Sequence, residues 1–494
     1  MSSPSISFNQ IPSSVRKPGV YIEENVSNAI QGLTAKNDKI VIVAQRTSTG
    51  TVAEKIPTKV FSDADAQLYF GAGSIAHLAA RAAIIANPYA DLTVVGVDDE
   101  GGSTPAVGTI SVGSVPTAGG TLYVYIGDVM GTVSYTGAEA ASTIATAIAT
   151  AVNIYSNLLP CTASPSSSDV DLEAKNAGTV GNFIPVTVAD KNGTSWITIT
   201  AMTTGATDPD LGDYASAGTV LASIVGGGYT IICNCLPNTE STYDAATKVK
   251  SMVNFVSGPM EQRPAIQVFA MTNLVDTYAN TKTLCGTNLN DGRISVPWID
   301  YTTGGLARSE FYKIAGAYAA TIASQSDPAV PFDGLVLTGI AAPAVNDRLT
   351  RTVCEDALNA GVTPLQVQPG EQVAIVRAIS TYTLNSLSIA DPTLLDITTI
   401  RTLDYVRDQI RTRLSLRFQR SKLSPRILKS IKYEVIDVLY LLQGLEIVQN
   451  VDTYKSGVIV EVDSTDSTRA DVKIPSNIVQ GLHVIAAVID LILG

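Results

Sequence analysis

The chain has 494 residues, 45% of them hydrophobic, which is enough for about three domains with buried cores. Its net charge of −12 argues against a nucleic-acid binder, and no run of 18 apolar residues offers a membrane span. The N-terminus lacks the basic region and apolar core of a secretory signal. Five cysteines with one close pair, Cys233 and Cys235, fit buried thiols made in a reducing cytosol.

Residues 1–17 are Ser-rich without a sustained period and read as an arm. They lead into a turn and a short extended run at 17–24, giving an N-terminal arm over 1–30. From Lys39 a doubly wound α/β pattern begins. Residues 40–44 (IVIVA) predict a strand buried on both faces, and helices are expected over 63–70 and 75–87, each after a Ser that can cap it. A strand follows at 92–97. Residues 100–207 then shift to Gly, Thr, Ser and Ala, which predicts an inserted β-rich domain. In it, 122–126 should pair with 133–135, 137–153 should form a helix, and 196–200 a strand. The α/β alternation resumes with strands near 229–235, 265–269, 294–299 and 335–337, and helices near 242–256 and 306–324. Residues 31–99 and 208–345 therefore read as one discontinuous α/β domain with a mostly parallel sheet and flanking helices. An α+β C-terminal domain follows over 346–481, with a helix, a hairpin around 365–380, two basic helices, and strands at 445–451 and 458–462. Residues 482–494 read as an extended arm strand.

Charge is concentrated in the basic helices. Between Arg401 and Lys432 there are ten Arg or Lys against two Asp, a local charge of +8 that leaves −20 on the rest. Leu403, Val406, Ile410, Leu414 and Phe418 recur at helical spacing, with arginines bordering the stripe. Ser424-Pro425 is an N-cap followed by proline at the first helical position, and Gly444 ends the second helix. Arg426, Lys429 and Lys432 fall in the first turns of that helix, where the dipole opposes cations. The segment is a solvated basic face or a binding face for an acidic partner.

Candidate chemistry is sparse. His77 and His483 have no evident catalytic partner, and Gly-x-Ser-x-Gly is absent. Gly226–Gly228 precedes a strand, and Gly71-Ala-Gly73 lacks the Lys-Ser/Thr of a phosphate loop. Asp98-Asp99-Glu100 sits at a strand end but reads as an exposed linker into the insert. Asp169, Asp171 and Glu173 lack the glycine and final Glu of a calcium loop. No catalytic, cofactor or metal site is expected. An α/β enzyme using Asp98 and a nucleic-acid binder using the Arg-rich helices are the rival classes.

Several strings resemble contractile phage tail sheath proteins. They are Pro18-Gly-Val-Tyr-Ile-Glu-Glu24, Ala174-Lys-Asn-Ala-Gly-Thr-Val-Gly-Asn182, Asn359-Ala-Gly-Val-Thr-Pro364, Val376-Arg-Ala-Ile-Ser-Thr-Tyr382, and Leu395-Asp-Ile-Thr-Thr-Ile-Arg-Thr-Leu-Asp-Tyr-Val-Arg-Asp-Gln-Ile-Arg411. The resemblance covers nearly the whole chain, and length and pattern are most similar to sheaths of the Mu type. It implies a structural subunit of the virion, made in the host cytoplasm. Such subunits polymerise as six-membered rings around a tail tube and contract to drive the tube through the host envelope. The sheath of a bacteriocin-type injection particle is the alternative within the class. Partners implied are the tube protein, baseplate and tail terminator, with no nucleic acid, cofactor or membrane insertion. The insert is expected to face outward and the C-terminal domain to face the tube. Arg413, Arg417, Arg420, Lys422, Arg426 and Lys429 are the expected tube-attachment residues. Ile6, Phe8, Val484, Ile485, Val488 and Ile489 are the expected intersubunit arm contacts.

Overall fold

Strand β1 (Lys39–Gln45, KIVIVAQ) buries every side chain after Lys39, as a β-branched run does when both faces of a sheet are covered. The computed structural model describes residues 16–20, 33, 38–238, 243–258, 266–269, 278–301 and 305–492. The chain divides into a small unit, Met1–Ala35, and a large one, Lys36–Gly494. Ile6 and Phe8 lie outside the described residues.

After β1 come β2 (Thr58–Lys59), helices α1 (Asp63–Phe70) and α2 (Ile75–Ala86), and β3 (Asp91–Val97). Ser62 and Ser74 cap the two helices, their hydroxyls accepting from Asp65 N and His77 N as the sequence led us to expect. The chain returns to this sheet through α4 (Val220–Val225), β11 (Ile231–Asn234), α5 (Asp244–Val256), β12 (Ile266–Phe269), α6 (Tyr278–Lys282) and β13 (Ile294–Ser295). The strand order is β13-β12-β11-β1-β3-β2, parallel throughout except for β2. Ile40, Ile42 and Ala44 face α2 and α7 (Phe311–Ala323). Val41 and Val43 face α4 and α5. Helices α2 and α7 approach so closely that a Cβ at Gly316 would lie 2.5 Å from Ala79 O.

Between β3 and α4 the chain builds two further sheets. These use β4 (Pro105–Val112), β5 (Gly120–Ile126), β6 (Val129–Tyr135), α3 (Ala141–Asn153), β7 (Cys161–Ser166), β8 (Asp169–Ala177), β9 (Val186–Asp190) and β10 (Ile197–Thr203). The orders are β10-β4-β8-β7 and β6-β5-β9. They enclose a core of their own, with Ile110, Leu122, Val124, Val170 and Leu172 packed on Ile144 and Ile148 of α3.

The expected single strand over 294–299 is two. β13 pairs with β12, Val296 intervenes, and β14 (Pro297–Trp298) joins β15 (Thr363–Gln368) and β16 (Gln372–Ile375) in another sheet. α8 (Arg351–Asn359) precedes that hairpin, and α9 (Ile397–Phe418) and α10 (Pro425–Gly444) follow it. Residues 335–337 make only an isolated bridge, Val336 to Ala374. The expected strand at 445–451 is absent because Glu446 and Asn450 take left-handed φ of 56° and 57°. What forms is a bridge from Val448 to Ile478 and a one-turn helix, α11 (Val451–Tyr454). β17 (Ile459–Val462) and β18 (Ala470–Lys473) close the chain as an isolated two-stranded ribbon. Residues 482–492, expected as a strand, have no regular structure, and no described strand pairs with them.

Candidate functional site

Helices α9 and α10 form an antiparallel hairpin whose tip carries the basic cluster. Ser424 caps α10, its hydroxyl accepting from Ile427 N at 3.4 Å, with Pro425 in the first turn. Val435, Val438, Leu439 and Leu442 form the buried face of α10. The six expected attachment cations divide into two groups. Arg413 pairs with Asp437 (2.7 Å) and Glu434 (3.5 Å), and Arg417 with Glu434, so both are committed to holding the hairpin. Arg420, Lys422, Arg426 and Lys429 are exposed at or near the tip and pair with no acidic group among the described residues. Arg420 is in the left-handed region at φ 67°, where the chain leaves α9.

The apolar stripe expected on α9 is only partly buried. Val406 and Ile410 are buried, Leu414 and Phe418 are half-buried, and Leu403 is exposed. With Arg407, Arg411 and Ile474, the stripe from Leu403 to Leu414 lines an open groove of about 760 Å³. The first half of α9 is instead enclosed by polar pairs. Arg293 grips Asp404 with two hydrogen bonds of 2.7 and 2.8 Å, and Arg407 adds a third nitrogen at 3.1 Å. Burial lowers the Arg407 guanidinium pKa from its usual value against the pull of Asp404. Arg401, counted in the sequence as part of the basic face, is fully buried on Asp38.

The C-terminal arm is uncovered. Val484, Ile485, Val488 and Ile489 are 78–95% exposed, as are Leu491 and Ile492 at over 80%. Next to them in sequence the β17–β18 ribbon leaves both edges without a partner strand among the described residues.

The residues weighed for catalysis serve structure. His77 is buried, accepting from Gly73 N at 3.0 Å and lying 3.0 Å from Asp63 Oδ1. Burial lowers its pKa, with Asp63 opposing. Gln45, where β1 ends beside the reversal of strand order, marks the crevice that doubly wound sheets offer to ligands. Its Nε2 donates to Asp99 Oδ1 (2.8 Å) and Ala177 O (2.7 Å), so chain from the β-rich region fills that place. Asp99 also accepts from Ala177 N at 2.8 Å, and Arg46 binds Asp98 at 2.6 Å. The acidic strand end is therefore a joint, not the exposed linker expected. All five cysteines are buried and free, with Cys233 and Cys235 Sγ 3.7 Å apart on one face of β11 and its extension. No cluster among the described residues could hold a metal.

One joint escaped the sequence reading. Lys313 Nζ, buried in α7, lies 2.7 Å from Asp128 at the β5–β6 turn and 2.8 Å from Glu310. Burial raises the Glu310 carboxyl pKa. Burial alone would lower that of Lys313, but Glu310 and Asp128 overcome it and hold the ammonium charged. Gly127 is required there, since a Cβ would lie 2.2 Å from Glu310 Oε1. The signal was present in the sequence. Lys313 is the one charged residue in an otherwise apolar helix, three positions from Glu310.

The phage tail sheath central-domain model matches residues 205–381, and the phage tail sheath C-terminal-domain model matches 390–492. Together they cover more than half of the chain. The chain belongs to the phage tail sheath family. It is 26% identical over 514 residues to the Mu-like prophage FluMu tail sheath protein of Haemophilus influenzae, across 99% of this chain and all of that one. Its fold is similar to the contracted helical sheath of the anti-feeding prophage, with TM-score 0.50 and 13% identity over 96% of this chain and 99% of that one. A sheath tail protein from Desulfitobacterium hafniense superposes with TM-score 0.48 and 13% identity, over 93% of this chain and all of that one. As a tail sheath protein the chain is a structural subunit.

Proposed function

We propose that this tail sheath subunit polymerises around a tail tube in six-membered rings, completing its sheets with strands lent by neighbours, and contracts to drive the tube through the host envelope. The carrying observation is the exposed apolar tail that follows, in sequence, a two-stranded ribbon whose edges have no partner among the described residues. Such a ribbon is marginal alone, and an apolar segment left uncovered is an aggregation hazard. Strand addition from a second copy answers both.

The free cations at the hairpin tip, Arg420, Lys422, Arg426 and Lys429, supply the contact to an acidic tube, while Arg413 and Arg417 keep the tip in shape. Each exposed pair is worth about 0–1 kcal/mol, but rings of subunits repeat it, and screening makes it easy to release. The energy for contraction is stored in the lattice, and no enzymatic step is assigned to the subunit. The β-rich residues 100–207 form the inserted, outward-facing part. Baseplate and tail terminator proteins close the two ends of a sheath that assembles in the host cytoplasm as part of the virion. Truncation after Gly481 tests the reading. The shortened protein should keep its cooperative unfolding and lose polymerisation in negative-stain images, whereas regular tubes from it would overturn strand lending by this arm.

A further inference from the structure

Both ends of the large unit meet at the start of α9. Asp38 immediately precedes β1, and its Oδ2 accepts a 2.7 Å hydrogen bond from Arg401 Nη2. The same nitrogen donates to Gln325 O at 2.7 Å, and the guanidinium carbon stands 5.1 Å from the centre of the Phe332 ring. Arg401 is fully buried, and its Nε and Nη1 have no hydrogen-bond partner. Thr402 adds a hydrogen bond to Pro328 O. One turn earlier Asp396 precedes α9 without capping it through its side chain. Its carboxylate is held by Arg377 at 2.8 and 2.8 Å and faces His483 Nε2 at 3.6 Å. His483 Nδ1 is 2.7 Å from Asp333 Oδ2. Just before it, Gly481 lies so close to Pro331 that a Cβ would come within 2.7 Å of the ring. The loop 325–333 and the α9 segment 396–402 therefore touch the root of β1, at Asp38, and the root of the C-terminal arm, at His483.

We infer that this loop and the first turns of α9 are a shared seat that positions the chain's entry into β1, at Asp38, and the C-terminal arm, with Arg401 and His483 as its positioning residues. A fully buried ion pair is a poor source of stability, and orphaned guanidinium nitrogens make it poorer. What such a pair supplies is one defined arrangement. His483 does the same at the surface, fixing the direction in which residues 484–492 leave the subunit. The far end of α9 carries the basic tip. A helix of 22 residues is about 33 Å long. One stiff element thus joins the tip to this seat, and a displacement of the tip reaches both roots together. The inference rests on the arm exchange proposed above.

The test uses the purified full chain, with the lowest concentration that forms polymer read by light scattering and negative stain. H483A removes the seat contact and leaves the apolar tail intact. It should melt within a few degrees of the parent and raise that concentration roughly tenfold. H483K, which places a hydrogen-bond donor between Asp333 and Asp396, should recover most of the loss, as a merely space-filling residue would not. D333N reads the same contact from the other side if H483A fails to fold. In the D38N background H483A should add less than it does alone, because both roots hold one seat. Parent-like polymerisation of H483A and D333N, with truncation after Gly481 still abolishing it, overturns the seat and spares the arm reading. Parent-like polymerisation of the truncated chain overturns both. Full additivity of D38N and H483A overturns the sharing.

Discussion

Lys313 and the hairpin-tip cations are the same chemistry in opposite settings. Lys313 is enclosed between Glu310 and Asp128, where α7 meets the β5–β6 turn, and water cannot take over from the buried Glu310 carboxylate. Arg420, Lys422, Arg426 and Lys429 stand in solvent with no acidic group of the described chain to meet them. In the first setting, losing one partner strands a charge in a low-dielectric interior. In the second, losing a partner returns a cation to water at little cost. The difference separates a joint built to stay closed from a contact suited to being made and released. It also means that the β-rich region is not loosely appended, because this ion pair ties its β5–β6 turn to α7.

The largest expected effect breaks the closed joint. Lys313→Met should lose about 3–5 kcal/mol of stability, measured by urea unfolding, because Glu310 remains buried, and Asp128 half-buried, without their cation. Glu310→Gln together with Lys313→Met should recover most of that loss. By the same logic, replacing residues 100–207 with a Gly/Ser linker should give a soluble, assembling protein only when Glu310 and Lys313 are also made apolar. Solubility of the simple deletion would show that the joint is dispensable.

At the tip, Lys422→Glu with Arg426→Glu should change stability by no more than about 0.5 kcal/mol while removing assembly on tubes, so that empty or contracted sheaths accumulate. Raised salt should imitate the pair in part. Normal extended tails from this variant would return the cluster to the role of a solvated face. Arg417→Glu sharpens the contrast within the hairpin. Facing Glu434, it should cost about 1 kcal/mol in urea unfolding, where the same change at Lys422 costs nothing measurable.

The smallest effect is on pH dependence. Burial raises the folded-state Glu310 pKa above its ordinary 4.5, so the native state takes up this proton more readily than the unfolded chain. Its contribution is most favourable below about 4.5 and is lost as pH rises through the raised value. Subtracting the stability profile of Glu310→Gln from that of the parent should show this downward step. A flat difference would mean that the carboxyl is not desolvated.

The helices α1, α2 and α10 were legible because capping serines and apolar spacing act within a few residues of each other. The alternation of strand and helix likewise announced a parallel sheet on both sides of the β-rich segment. What could not be read were partnerships across long separations. Arg401 meets Asp38 at 363 positions, and His483 meets Asp333 at 150. A basic stretch therefore looked like one uninterrupted face, although Arg401 is buried and Arg413 and Arg417 are spent on α10. Asp99 looked like part of a linker because its ligands, Gln45 and Ala177, lie 54 and 78 residues away. The tail at 484–492 was legible as apolar and strand-forming. Its bare state here follows from the absence of a partner strand among the described residues.

The thiols have a consequence for a particle that leaves its host. All five cysteines are buried, and burial raises the pKa of Cys161 to about 12 and those of Cys235, Cys285 and Cys354 above the ordinary value as well. The nucleophilic thiolate is thus scarce, and none of the five thiols is exposed on the subunit. A sheath built from many such copies offers nothing for an oxidising medium to cross-link. Its subunits stay free to slide past one another, and the stored state can persist outside the cell without a covalent bond freezing the lattice before it fires.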